Sequence, residues 1–516
     1  MSHETLILAA LGLPLLIAAG IALTGKVPNL REAVTIGGAI VLFGIVILLV
    51  QAVAAGDRPS LDLWTVLDPP GSLTEGRGGL ALAFELEPLG ALFAVVASGL
   101  WIVNSFYSIG YMRGNRERNQ TRFYMCFAIA IFGALGVAMA GNLFTLFVFY
   151  EILTLSTYPL VAHKGDAAAA RGARIYLMTL LGTSIGFFLF AVVWTYMLAG
   201  GSLDFVQGGL LANAEGLTPT IAGALLMLFA FGIGKAALMP FHFWLPNAMV
   251  APTPVSALLH AVAVVKAGVF TVLKVSVFIF GEDLLNATPS REFILGVACF
   301  TIIVASLIAL TKDNLKARLA YSTIAQLAYV TAGAMLADAA GFMGGALQIA
   351  AHASGKITLF MCAGAIYVAT GLTNISDMRG LGRRMPIVFI AFFVASLSII
   401  GIPPLAGDWP KYELMQGAAD AGLDYVPIVL IVSSLLNVAY LLPISLLALM
   451  PPPDTPEPAP FKRVGGAPAL TVAAPAFTAF LCLVLFFFVG PMSDFLTPSL
   501  GDRPDLSANL TSGDAP

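Results

Sequence analysis

Charge is scarce in this chain: Asp, Glu, Lys and Arg together make up 11% of its 516 residues, against 59% that are hydrophobic. A net charge of −3, with the basic residues gathered in short loops rather than on one face, excludes nucleic-acid binding. Cysteine is nearly absent as well. Cys126, Cys299, Cys362 and Cys482 each fall inside an apolar run without Cys-x-x-Cys or Cys/His spacing, so they read as packing residues and no metal or iron–sulfur site is expected. A phosphate-cradling loop is missing, because Gly234-Lys235 is followed by Ala236 and lacks the earlier glycine of that motif. The chain is therefore expected to carry no cofactor, neither a nucleotide nor a redox centre. Only His3 and Glu4 precede the first apolar run, which without a basic leader reads as a membrane helix rather than a secretory signal.

Long apolar runs are what the chain has in quantity. They lie near residues 5–23, 35–54, 89–111, 123–140, 143–161, 175–198, 220–245, 255–280, 293–310, 320–336, 342–369, 387–418, 426–450 and 470–489. Most can cross about 30 Å of hydrocarbon as helices. An all-α polytopic membrane protein of about fourteen transmembrane helices is predicted. Loop charge tests that count: Lys26, Arg31, Arg113, Arg116, Arg118, Arg122, Lys164, Arg171, Arg174, Lys312, Lys316, Arg318, Arg379, Arg383, Arg384, Lys462 and Arg463 follow odd-numbered helices, whereas only Arg58, Arg77, Arg291 and Arg503 lie on the other side. Since cytoplasmic loops collect Lys and Arg, both termini are expected outside a bacterial or archaeal inner membrane. Residues 55–79 read as an external loop, 451–469 as a Pro-rich cytoplasmic connector, and the tail from Asp494 as acidic and loose.

Two spans are interrupted. Pro240 and Pro246 break the seventh, and Gly401, Pro403, Pro404 and Gly407 break the twelfth, each close to a lysine. Gly/Pro-interrupted segments at corresponding places in two halves point to a transport site, because unwound backbone inside a membrane belongs beside a hydrated cavity. Their separation suggests repeats of five helices, 4–8 and 9–13. The expected units are then helices 1–3 (residues 1–122), a first repeat (123–280), a second (292–450), the connector (451–469), and a last helix with its tail (470–516).

Charges inside the spans are the candidate functional residues. Glu151 lies mid-span in FVFYEILTLSTYP and pairs most plausibly with Lys235, at the first break; moving the carboxylate away would release the lysine's proton. Lys266 sits well inside the eighth span, while Lys274 is nearer its end and is expected to snorkel. His242 and His260 either relay protons or hydrogen-bond backbone freed by the prolines. Gln348, His352 and Lys356 recur every four residues and so share one face, as a wet path linking the halves or as a structural network. Lys411 follows the second break, with Asp408 and Glu413 nearby as pairing partners or cation ligands. Four lysines and a glutamate at these depths would cost about 15 kcal/mol on the insertion scale, which implies water and mutual pairing along a chain of sites.

The run KAALMPFHFWLPNAMVAPTPVSALLHAVAVVKAG resembles the signature of the proton-conducting antiporter-like subunits shared by Mrp-type Na⁺/H⁺ antiporters and respiratory complex I. YEILTLSTYPLVAH, DNLKARLAYSTIAQLAYV, HASGK and GIPPLAGDWPKYEL extend the likeness over about residues 85–415. The resemblance implies two inverted five-helix repeats with half-closed proton channels. It also implies a Glu151/Lys235 pair, a bridging Lys266, a terminal Lys411, and His352 and Lys356 between them. Lysine at 411 suits Mrp-type subunits and some complex I subunits alike. PTPVSALLH with VVKAG is similar to the large Mrp subunit, whereas the chain length suits the D-type one. The implied partners are other membrane subunits of a hetero-oligomeric complex, with H⁺ and Na⁺ as the ions moved; a redox-driven pump module of complex I type is the alternative.

Overall fold

Inside hydrocarbon a backbone must satisfy its own N–H and C=O groups, and this chain does so almost wholly with helices. The computed structural model describes residues 2–67, 80–451 and 466–500, apart from the side chain of His260. Helices α1 (His3–Leu23) and α2 (Pro28–Ala54) lead to strands β1 (Ser60–Leu67) and β2 (Leu80–Glu85). Then come α3 (Pro88–Gly114), α4 (Gln120–Ala138), α5 (Leu143–Val161) and α6 (Ala167–Thr183), the last running through a π-helical turn into α7 (Leu189–Leu198). Next are α8 (Pro219–Gly232), α9 (Trp244–Asn247), α10 (Thr253–Ala257), α11 (Val264–Val275) and α12 (Glu282–Asn286). The second half holds α13 (Ser290–Thr311), α14 (Leu315–Leu336), α15 (Ala339–Thr370), α16 (Pro386–Ile400), α17 (Asp408–Asp420) and α18 (Tyr425–Leu449), before α19 (Ala469–Phe487) and α20 (Val489–Leu500).

Among the described residues eleven helices are long and apolar enough to cross a membrane, with α6 and α7 taken as one span. Three interrupted segments, α8 with α9, α10 with α11, and α16 with α17, complete the expected fourteen. The breaks that carry Lys235 and Lys411 each fall in the fourth member of a set of five, α4 to α11 and α13 to α18. Polar residues set the helix starts around the breaks: Asn142, Asp166, Asn314 and Asp338 each accept a first-turn N–H, at 2.7, 2.7, 3.1 and 2.8 Å. At the centre stands α15, 32 residues long, packed against α3, α10, α14, α16, α17 and α19. Its most apolar 18-residue window is entirely buried.

Three expectations are corrected at the edges. The stretch expected as an external loop includes a β-strand, since β1 pairs antiparallel with β2 (Ser60 opposite Glu85) and β2 is pinned to the start of α5 by Asn142 and Thr145. Residues 68–79 of that stretch, and 452–465 of the connector, lie outside the described residues, as do Arg77, Lys462, Arg463 and Arg503. The chain past Asp494 is helical to Leu500, where Leu496 and Leu500 bury their side chains. Finally, α14 starts at Leu315, so Lys316 and Arg318 sit on its first turn rather than in a loop.

Candidate functional site

The first break begins where α8 ends at Gly232 and a single 3₁₀ turn, Gly234–Ala236, carries Lys235. Ala237 follows in the left-handed region (φ +55°), which ends the 3₁₀ turn before Pro240. Lys235 is wholly buried and turned onto α5. Its Nζ donates to the Tyr150 carbonyl at 2.8 Å and to Thr154 Oγ1 at 2.6 Å, and lies 3.1 Å from the centroid of the Tyr150 ring. Glu151 is on the same turn of α5 and interacts with Lys235 through space, but the two are not in ion-pair contact. Both Glu151 carboxylate oxygens are buried and make no hydrogen bond. An unpaired buried carboxylate is costly.

Lys235 and Lys266 are brought together by a glycine. A Cβ at Gly268 would lie 2.4 Å from the Lys235 carbonyl carbon and 2.8 Å from its Cβ, so only glycine lets the 3₁₀ turn seat on α11. Two residues away, the buried Nζ of Lys266 sits 2.7 Å from His352 Nδ1 on α15. One turn further along α15, Lys356 Nζ donates to Ser322 Oγ of α14 at 2.5 Å. The Tyr440 hydroxyl of α18 lies 2.8 Å from the same Ser322 oxygen and also contacts Asn437 Oδ1. A phenol has one proton to donate, so it serves one of these neighbours at a time.

The second break gathers the last lysine. Helix α16 ends on Gly401 (φ +84°), and α17 starts at Asp408. Lys411 Nζ donates to the carbonyls of Ile399 (3.3 Å) and Ile400, the last turn of α16, and to Ser434 Oγ of α18 at 2.8 Å. A cation suits a helix C-terminus, where carbonyls have no intrahelical partner. A Cβ at Gly401 would meet Lys411 Cδ at 2.8 Å, so glycine is needed both for the turn and for the lysine. Ser434, Asn437 and Tyr440 follow one another at helical spacing on α18. Ser434 meets Lys411 at one end of this row, and Tyr440 meets Ser322, beside Lys356, at the other.

The other residues singled out in the sequence are placed as follows. Gln348 is buried and donates to Gln326 Oε1 of α14 at 2.7 Å, so the Gln348, His352 and Lys356 stripe faces protein throughout. His242 is half-buried, with Nδ1 3.2 Å from the Pro240 carbonyl, a backbone group at the break. The side chain of His260 lies outside the described residues. Asp408 acts on Lys411 through space without ion-pair contact, and Glu413 is buried two residues further along α17. Lys274 does not snorkel. It is 1% exposed, 3.2 Å from Glu87 Oε1 and 2.9 Å from the Ala140 carbonyl it donates to. Glu87 in turn accepts from the Leu89 and Gly90 amides and from Ser499 Oγ.

Sequence reasoning missed Glu87 and the neutral links Tyr150, Thr154, Ser322, Asn437, Tyr440 and Ser434. A buried amine against an imidazole or hydroxyl can pass a proton along a hydrogen bond, and hydroxyls that both accept and donate carry it between charged stations. The transmembrane family model described as NADH:quinone oxidoreductase/Mrp antiporter matches residues 140–437, an interval that holds Glu151, Lys235, Lys266, His352, Lys356 and Lys411 but neither Glu87 nor Tyr440. NADH-quinone oxidoreductase subunit N of Desulforudis audaxviator is 33% identical over 358 residues, covering 69% of this chain and 70% of that one. A probable K⁺/H⁺ antiporter protein of Rhizobium meliloti is 31% identical over 349 residues, covering 67% of this chain but only 34% of its own length. The chain spans about half of the chain 5 type quinone oxidoreductase subunits it also matches. In fold it is similar to a chain of the Mrp complex from a Dietzia species, with a TM-score of 0.83, 22% identity, and 97% and 98% of the two chains covered.

Proposed function

Because the chain belongs to the NADH:quinone oxidoreductase/Mrp antiporter family of proton-conducting, antiporter-like membrane subunits, we propose that it is the proton-translocating subunit of a multisubunit Na⁺/H⁺ antiporter. Protons move along Glu151, Lys235, Lys266, His352, Lys356 and Lys411. The observation that supports this reading is the succession of buried stations: Lys235 against α5, Lys266 against His352, Lys356 on Ser322, which Tyr440 also contacts, and Lys411 on Ser434, which follows the same helical spacing on α18 as Asn437 and Tyr440. The two repeats, residues 123–280 and 292–450, would each hold one half of the route, joined by α11 and α15. Both termini would face outward from the inner membrane, with the basic loop ends in the cytoplasm.

The reading is tested in everted vesicles that hold the assembled complex. Lys235→Ala and Glu151→Ala should each abolish a ΔpH driven by added Na⁺, at wild-type subunit levels. Wild-type activity in both variants overturns it. A redox-driven pump module of complex I type is the second reading, supported by the greater identity and coverage of the quinone oxidoreductase relative. Iron–sulfur or flavin absorbance in the gently solubilised complex, with ΔpH driven by quinone reduction rather than Na⁺, decides for it.

A further inference from the structure

A cavity of about 120 Å³, lined by none of the stations of the proposed route, opens at the ends of the spans that carry the basic loops. It lies between the first turn of α14, the chain that joins α9 to α10, and the loop after α15. Its polar walls come from Tyr111, Lys164, Thr253, Asn314, Lys316 and Tyr367. Neither Asp nor Glu is among its lining residues. The two lysines nevertheless act on each other through space. Two carboxylates of neighbouring loops are engaged elsewhere: Asp313 with the Ser376 amide and hydroxyl at 3.0 and 2.7 Å, and Glu117 with Asn115 Nδ2 at 2.5 Å.

Like charges that share a recess without a counter-charge repel, and an anion between them removes the repulsion. Lys316 spends one N–H on the Ala251 carbonyl at 2.6 Å, which leaves an ammonium two further donors. The 22-residue helix α14 starts here and adds the positive end of its dipole, while its cap Asn314 is already used by the Ala317 amide. Hydroxyls of Tyr111 and Thr253, 3.5 Å apart, add neutral hydrogen-bonding groups to the lining.

We propose that this cavity is a binding site for one phosphate-class anion, held by Lys164 and Lys316 at the start of α14. A phosphodiester headgroup of an anionic lipid and a free phosphate share that chemistry; basic recesses between membrane helices at this depth take the former. The proposal does not depend on how protons cross the chain. Bound there, the anion ties α14 to the loop after α5 and to the α9–α10 joint.

The test uses thermal unfolding of the purified complex in a zwitterionic detergent–lipid mixture. Phosphatidylglycerol should raise the melting temperature of wild type relative to phosphatidylcholine, and Lys164→Gln/Lys316→Gln should lose that rise. In a parallel arm inorganic phosphate is compared with chloride at equal ionic strength. A rise with phosphate alone assigns the site to free anion, and a rise with the lipid alone assigns it to a headgroup. If the double variant does not fold, Lys164→Gln, an exposed side chain, should weaken the dependence about fivefold, the worth of one lysine at a charged surface. No rise with either probe in wild type, or an undiminished rise in the variants, overturns the proposal.

Discussion

On the proposed route a proton moving between Lys356 and Lys411 would meet neutral side chains, among them Ser322, which accepts from Lys356, and Tyr440, which touches Ser322 Oγ and Asn437 Oδ1. Tyr440→Phe keeps the ring and removes the hydroxyl, so assembly should persist while Na⁺-driven ΔpH in vesicles falls by about tenfold or more, as for a lost group in proton transfer. The buried Lys274–Glu87 pair is different in kind. Removing one partner leaves a lone charge in a dry site, so Glu87→Gln should destabilise by about 3–5 kcal/mol, while Glu87→Gln/Lys274→Met should recover much of the loss in a thermal melt. Why the sequence shows some of these residues and hides others follows from their cost. Lys235, Lys266, Lys356, Lys411 and Glu151 stand out because a charge in an apolar run is expensive whatever it touches. Ser322 and Tyr440 do not, since a membrane hydroxyl commonly bonds its own helix, as Thr323 and Ser396 do to the carbonyls of Leu319 and Phe392. Glu87 was hidden for another reason: it lies at a helix start, where a carboxylate is ordinary, and its lysine is 187 positions away.

At the scale of elements, both broken segments use glycine to bring backbone against a lysine. Gly401 has φ +84° and faces Lys411 Cδ, so Gly401→Ala adds strain and a clash at once. It should displace the ammonium from the Ile399 and Ile400 carbonyls and lower transport severalfold, at a stability cost of about 1–2 kcal/mol read from the melt. Gly296, whose added Cβ would meet nothing within 4 Å, provides the control: Gly296→Ala should leave transport unchanged. The breaks themselves were legible, because proline removes an N–H and an apolar run with several prolines cannot stay one helix. Their geometry was not. Whether Lys411 pairs with Asp408 or caps the end of α16 depends on where a reversed chain aims, and spacing is silent on that. The strand β1 escaped notice likewise, since its partner β2, and the Asn142 and Thr145 that anchor β2, come later in the chain.

For the molecule as a whole, the single helix α15 is in contact with α10 and α11 on one side, with α14, α16 and α17 on the other, and with α3 and α19, and it carries the Gln348, His352 and Lys356 stripe on its 32-residue length. On α2, by contrast, the most apolar window is 28% buried. A comprehensive substitution scan scored by growth or transport should separate the two. Along residues 28–54 tolerance should rise and fall about every 3.6 positions, as outward sites accept any hydrophobic replacement. Along 339–370 the scan should show no such rhythm, because a rod hemmed in on every flank offers no position at which a larger side chain can be accommodated without cost. Variation among relatives would then be confined to paired exchanges across its neighbours, making this helix the slowest part of the chain to diverge.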